Sequence, residues 1–203
     1  MARTRSAHYP ENQARILDTA AQLFAAKGFP RVSMAALAAA CQCSKALLYH
    51  YYPSKEALLY ALLRTHLETL HTVTAQALAT SQDPEAQFRA LVRASMTIYA
   101  RSRNKHIVLM NDLRCLPPAQ REDIRLVERQ LTTLVAALLT RMHPELRRDP
   151  RLCMPYTMMF YGMLNWTYIW YDNHGPVGPE EFARRAADLF LHGFKPRPDG
   201  PQA

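Results

Sequence analysis

Along almost the whole chain, apolar side chains return every third or fourth residue, a spacing that lines one face of an α-helix but scatters over both faces of a β-strand. Ile16, Leu17, Ala20, Leu23 and Phe24 form one such stripe, and Leu58, Leu59, Leu62, Leu63, Leu67 and Leu70 form a second. A third runs through Ile124, Val127, Leu131, Leu134, Val135, Leu138, Leu139 and Met142. No stretch shows the apolar–polar alternation of a half-buried strand. Only 6 glycines among 203 residues argue in the same direction, and a chain of this length can bury a core without a disulfide or metal staple. The expected class is all-α, with about nine helices.

The punctuation between stripes is local. Pro10 suits a first helical turn and Gly28 the C′ position that closes it. Ser33 is placed to cap a short alanine-rich helix, Met34 to Ala40. Gln42 and Cys43 break the chain, Ser44 caps a third short helix to about Tyr51, and Pro53 stops it. Ser54 then caps the leucine-striped fourth helix. Further helices are expected from about Glu85 to Ser102 and from Lys105 to Cys115, ended by Pro117 and Pro118. The last holds Phe182, Ala186, Leu189 and Phe190 and ends at Gly193.

Leu152 to Tyr171 contains twenty residues without a charge, long enough to cross a bilayer. Pro155, Thr157, Tyr161, Asn165, Thr167 and Tyr168 carry polar groups that hydrocarbon would not satisfy, so a helix buried among protein helices is expected instead. The basic start, Met-Ala-Arg-Thr-Arg-Ser, leads into no apolar segment of the kind that directs secretion, and a cytoplasmic location is expected. Cys41, Cys43, Cys115 and Cys153 lack the paired spacing of a disulfide framework. No metal site and no cofactor is expected.

The formal charge is +8, and it is unevenly distributed. Residues 1–55 hold seven Lys or Arg, Arg3, Arg5, Arg15, Lys27, Arg31, Lys45 and Lys55, against Glu11 and Asp18, so the first quarter carries more than half of the excess. Three short helices with a tight break before a basic third one make the layout of a helix-turn-helix DNA reader. The residues from Ile16-Leu17-Asp18-Thr19-Ala20-Ala21-Gln22-Leu23-Phe24, through Gly28-Phe29 and Ser33-Met34, to Ser44-Lys45-Ala46-Leu47-Leu48-Tyr49-His50-Tyr51-Tyr52-Pro53-Ser54-Lys55-Glu56-Ala57-Leu58-Leu59 resemble the N-terminal signature of the TetR family of transcriptional regulators. The resemblance covers about residues 10 to 65. It implies a homodimeric repressor whose C-terminal helices bind an inducer and form the dimer interface. Two residues depart from the family pattern: Gln42 stands where glycine is usual, which calls for a positive φ costing about 1 kcal/mol, and Cys43 replaces an aliphatic residue.

Side-chain chemistry assigns roles within this head. Lys45 can reach guanine acceptors or a phosphate, and Ala46 and Leu47 can touch a thymine methyl. Tyr49 and His50 can donate to phosphate oxygens, while Ser33, Ser44 and Lys55 lie at helix N-termini that favour anions. By resemblance, Leu48 and Tyr52 are structural. The expected organisation is a DNA-binding domain at residues 10–55 with its motif at about 33–52, a ligand-binding and dimerisation domain at 56–195, and a flexible tail at 196–203.

Seven of the nineteen aromatic residues fall between Tyr156 and Tyr171. One face of such a helix is expected to meet a second subunit, with Gly162, Ala183, Ala186 and Ala187 permitting close approach, and another face to line a cavity. Met96, Tyr99, Met110, Phe160, Tyr161, Asn165 and Tyr168 are the candidate ligand residues, because Met adapts its shape and Tyr and Asn add oriented polar groups. The run from Asn165 to Tyr171, with Gly175-Pro176 and Pro179-Glu180-Glu181, is similar to regulators of fatty-acid and phenylacetate catabolism. That similarity implies an acyl-CoA or aryl-acyl-CoA thioester, with Arg101, Arg103 or Lys105 as phosphate partners. The expected partners are double-stranded operator DNA, a small-molecule inducer and a second copy of the chain. Two alternatives share the scaffold: a drug-responsive repressor of an efflux pump, and a thiol switch built on Cys41 and Cys43. His66 and His71, five apart, do not form an i, i+4 metal pair, and no phosphate loop or nucleophile elbow supports an enzyme.

Overall fold

A computed structural model describes residues 9–193 of the chain; Arg3, Arg5 and the 196–203 tail lie outside the described residues. Those described contain eleven α-helical segments and no strand, and nine of the eleven span seven residues or more. α1 (Tyr9–Lys27) has Pro10 in its first turn and buries Ile16, Leu17, Ala20, Ala21 and Phe24. It is closed by Gly28, whose φ of 77° lets its N–H return to the Phe24 carbonyl at 2.8 Å. A 3-10 turn, Phe29–Arg31, leads to α2 (Met34–Ala40), and α3 (Lys45–Tyr51) follows. α4 (Lys55–Ala79) begins where the Ser54 hydroxyl accepts the Ala57 N–H at 3.0 Å.

The chain divides into two compact units. The first comprises the chain up to Thr69 with Ser102–Glu128, and the second Leu70–Arg101 with the chain from Arg129 onward. This division differs from a cut near residue 55, because α4 runs without a break past that point and α6 (Arg103–Asp112) packs on α1.

In the first unit Leu58, Leu59, Leu62, Leu63 and Leu67 are buried, which accounts for the leucine stripe. Lys105 of α6 reaches Asp18 of α1 at 2.7 Å. Tyr60 and Arg64 converge on Oδ2 of Asp123, near the start of α7 (Pro118–Met142), at 2.6 and 2.5 Å. The Tyr60 hydrogen bond, then the Arg64 hydrogen bond and charge, hold the Asp123 carboxyl below the usual carboxylate range.

The second unit contains α5 (Pro84–Arg101), α8 (Glu145–Arg148), α9 (Cys153–Asn165), α10 (Thr167–Trp170) and α11 (Pro179–His192). α11 packs on α5, and Ala183, Ala186 and Ala187 are buried. Three of the small residues expected at a subunit interface therefore serve a contact within the protomer; Gly162 remains exposed. Phe88, Phe160 and Phe190 form a mutual ring cluster with centroids 5.2 to 5.8 Å apart. Arg89 ties the two helices by reaching Asp188 at 2.6 Å and Glu85 at 2.9 Å.

The uncharged stretch is not one helix. It bends at Trp166, where the Thr167 hydroxyl donates to the Leu164 carbonyl at 2.6 Å and α10 starts anew. Among the described residues no helix is long and apolar enough to cross a membrane.

Candidate functional site

The α2–α3 break is built from backbone hydrogen bonds. The Cys43 N–H reaches the Ala38 carbonyl and the Gln42 N–H the Ala39 carbonyl, each at 3.0 Å, the paired pattern of a Schellman closure. Gln42 occupies the left-handed position with φ 52°, as its replacement of glycine requires. Ser33 accepts the Ala36 N–H and Ser44 the Leu47 N–H, both at 3.1 Å. Each serine hydroxyl still has its own proton to donate to an anion.

This closure and the two caps set α3 with one face in and the rest out. Leu48 is fully buried and Tyr52 is 4% exposed, while Ser44, Lys45, Ala46, Leu47, Tyr49 and His50 are exposed. Leu47 and Tyr49 leave 43% and 48% of their surface open. Tyr51 stacks on Tyr9 at 4.7 Å, fixing the end of α3 against the start of α1. The surface so formed offers a flexible cation, a methyl, an isobutyl group, a phenol and an imidazole, together with the exposed Ser33 at the start of α2. Those are the groups that hydrogen-bond base edges and phosphates and touch thymine methyls.

Lys55 differs from its expected role. Its ammonium turns inward, donating to the Phe29 and Val32 carbonyls at 2.9 Å each and lying 4.2 Å above the Phe29 ring. It therefore clamps the turn between α1 and α2 instead of presenting charge to a phosphate. Nothing local reveals this, because its partners lie 26 and 23 residues away.

Of the candidate ligand residues, Met96, Tyr99, Phe160, Tyr161, Asn165 and Tyr168 lie in the second unit and Met110 in the first. Tyr99 donates to Asn165 Oδ1 at 2.7 Å, and burial pushes the Tyr99 and Tyr161 hydroxyls far above the ordinary phenol range. Met96 is buried at 1% exposure, and Tyr168 is half-buried with its ring 6.5 Å from that of Trp166. Phe160 is a core residue, held by Phe88, Phe190 and Tyr161. Met110 lies in the first unit, beside a cleft near Arg114. Of the expected phosphate partners, Lys105 is taken by Asp18, while Arg101 and Arg103 are exposed.

His66 and His106 meet in the core of the first unit with Nε2 and Nδ1 3.5 Å apart. Burial first, then His106 and Lys105, lowers the His66 pKa to about 3, so the His66 ring packs as a neutral group near neutral pH. Cys41 is 2% exposed, and burial, then Cys43, pushes its thiol up, which disfavours the reactive thiolate. Among the described residues no group of three or more His, Cys, Asp or Glu is placed to hold a metal ion.

Residues 16–62 match the family described as bacterial regulatory proteins, tetR family, and residues 81–194, more than half of the chain, match the tetracyclin repressor-like C-terminal domain. A TetR-family transcriptional regulator from Bordetella parapertussis is 38% identical, with 92% of this chain and 97% of that one aligned at a TM-score of 0.88. AibR, solved in complex with isovaleryl coenzyme A and operator DNA, is 24% identical over 89% of this chain and 98% of that one, at a TM-score of 0.78. The HTH-type transcriptional regulator YuxN of Bacillus subtilis is 34% identical over 79 residues, which are 39% of this chain. The match spans only 27% of the length of YuxN.

Proposed function

The chain belongs to the TetR family of DNA-binding transcriptional regulators, and from that premise we propose that it is a ligand-responsive repressor released from a near-palindromic operator by a small acyl or aryl-acyl thioester. The observation that carries the DNA-reading half is the exposure of every α3 residue from Lys45 to His50 except Leu48. Lys45 reads guanine acceptors, Ala46 and Leu47 meet thymine methyls, and Tyr49, His50, Ser33 and Ser44 fix register on the phosphates. Lys55 contributes by holding the turn that precedes α2.

The protein acts as a homodimer, so that two α3 helices enter successive major grooves. An exposed apolar band on α9, α10 and α11 supports this: Met158, Met159, Trp166, Trp170 and Leu189 are 45% to 62% exposed. Inducer binding favours a spacing of the two readers that no longer matches the operator. To change occupancy tenfold it must prefer that arrangement by about 1.4 kcal/mol.

A thioester is favoured over a neutral drug by the C-terminal resemblance, and the same fold accommodates isovaleryl coenzyme A in AibR. The thiol switch is disfavoured by the burial of Cys41. The reading is tested by fluorescence anisotropy of the protein on DNA from its own promoter, titrated with short-chain, long-chain and aryl acyl-CoA thioesters, with neutral hydrophobic drugs and with peroxide. Release by a thioester supports it; release only by the drugs supports efflux control, and release only by peroxide supports the thiol switch.

A further inference from the structure

Five cations from three separate stretches of the chain meet in one cleft of the first unit. Lys27 comes from the end of α1, Arg31 from the turn after it, Arg114 from the 3-10 turn after α6, and Arg121 and Arg125 from α7; the cleft is open to solvent, with a volume of about 770 Å³. Elsewhere Arg64, Arg89, Lys105, Arg184 and Arg185 each lie within 3 Å of a carboxylate. None of the five cleft cations forms an ion pair among the described residues. Asp112, the one acid in the lining, is 7% exposed; burial pushes its carboxyl up, and the Phe29 N–H and the Arg114 charge partly offset this. Five like charges with a single buried acid among them raise the local potential and attract anions. Arg121 also donates to the Arg114 carbonyl at 3.4 Å, so part of the cationic wall is held in place before any ligand arrives.

We propose that this cleft binds the phosphoryl groups of a small, multiply phosphorylated ligand, and that occupancy ties the Gly28–Arg31 turn to the first turns of α7. Guanidinium groups pair with phosphate oxygens through parallel N–H bonds, which suits arginine over a surface lysine. A single phosphate would leave most of the positive charge uncompensated, whereas a bisphosphate or pyrophosphate neutralises most of it. A cleft of this size is of the order that holds a nucleotide-sized molecule. The turn it grips is the one whose Phe29 and Val32 carbonyls Lys55 also holds, directly before α2, so a bound anion stiffens the approach to the reading helix. None of the α3 residues lines the cleft. The phosphates have two sources: the nucleotide end of a coenzyme A thioester, as in the function proposed above, or a free phosphorylated metabolite. The site itself rests on neither.

The test is calorimetric titration of the full chain with pyrophosphate, adenosine 3′,5′-bisphosphate and coenzyme A, with sulfate at matched ionic strength as the control. Saturable binding of at least one phosphorylated probe is expected. The double substitution Arg114→Gln and Arg125→Gln, at two exposed residues, is expected to weaken that binding roughly tenfold or more while keeping the melting temperature and operator affinity of the ligand-free protein. Binding of the adenosine bisphosphate and coenzyme A without pyrophosphate assigns the coenzyme source; comparable binding of pyrophosphate assigns the free one. Three results would overturn the inference: no binding stronger than that of sulfate, binding unchanged by the double substitution, or a fall in operator affinity of the ligand-free variant, which would make the cleft a DNA surface. A protein that binds pyrophosphate yet keeps its operator in every acyl thioester would refute the inducer reading and leave this site standing.

Discussion

In the first unit many of the long-range ties are polar, Lys55 to two backbone carbonyls, Tyr60 and Arg64 to Asp123, Lys105 to Asp18, and His66 against His106, beside the apolar α4 stripe and the Tyr9–Tyr51 stack. In the second a ring cluster of Phe88, Phe160 and Phe190 takes a larger part, beside directed bonds from Arg89 to Asp188, Tyr99 to Asn165 and Arg141 to Gln87. Directed bonds fix angles, which a seven-residue reading helix needs because it buries too little to orient itself. Ring clusters are less directional, and tyrosine, methionine and tryptophan can repack around different partners. The contrast suits a rigid reader in one unit and an adaptable apolar region in the other.

The largest expected effect breaks the aromatic side of the contrast. Phe160→Ala removes a side chain 1% exposed and should cost about 3–5 kcal/mol, seen as a lower thermal midpoint with no change in the pH dependence of stability. Acid should act on the polar side. Below about pH 6.5 the unfolded chain takes up a proton at His66 that the folded chain refuses until about pH 3, so stability falls as pH drops through that window. The slope from this one group approaches about 1.4 kcal/mol per pH unit. In denaturant titrations from pH 7 to 4.5, His66→Leu should flatten the dependence; parallel curves for the variant and the parent protein would refute the assignment.

Lys55→Met sharpens the comparison further. Losing two charge-assisted bonds to carbonyls should cost roughly 1.5–3 kcal/mol in chemical denaturation, yet leave the salt dependence of operator binding nearly unchanged. A salt slope reduced by about one would return Lys55 to the phosphate contacts. The smallest effect is a gain. Gln42→Gly relieves the left-handed backbone at φ 52° and should stabilise the head by up to about 1 kcal/mol, less the added entropy of glycine in the unfolded chain.

What was legible in the sequence was what neighbouring residues decide. Ser33, Ser44 and Ser54 cap the helices expected of them, Gly28 closes α1, and Gln42 takes the positive φ inferred from its replacing a glycine. The apolar period places the α4 leucines inside, and Leu48, expected to be structural by resemblance, is buried and leaves the rest of α3 outside. What escaped depends on residues far apart in the chain. The inward turn of Lys55 needs Phe29 and Val32, the core role of Phe160 needs Phe88 and Phe190, and the cationic cleft joins residues 27 and 125. The bend at Trp166 escaped because a run of uncharged residues looks uniform to periodicity, while the Thr167 hydroxyl settles the break through a single bond.

The central claim is that the exposed face of α3 reads base edges, with Lys45 as its probe. The direct measurement is a mobility-shift comparison of the full chain and Lys45→Ala on its promoter site and on single-base variants of that site. The account predicts that Lys45→Ala binds the parent site more weakly by about 1–3 kcal/mol and loses discrimination at one or two positions per half-site, with its thermal midpoint unchanged. Equal affinity and an unchanged base preference in Lys45→Ala would contradict it.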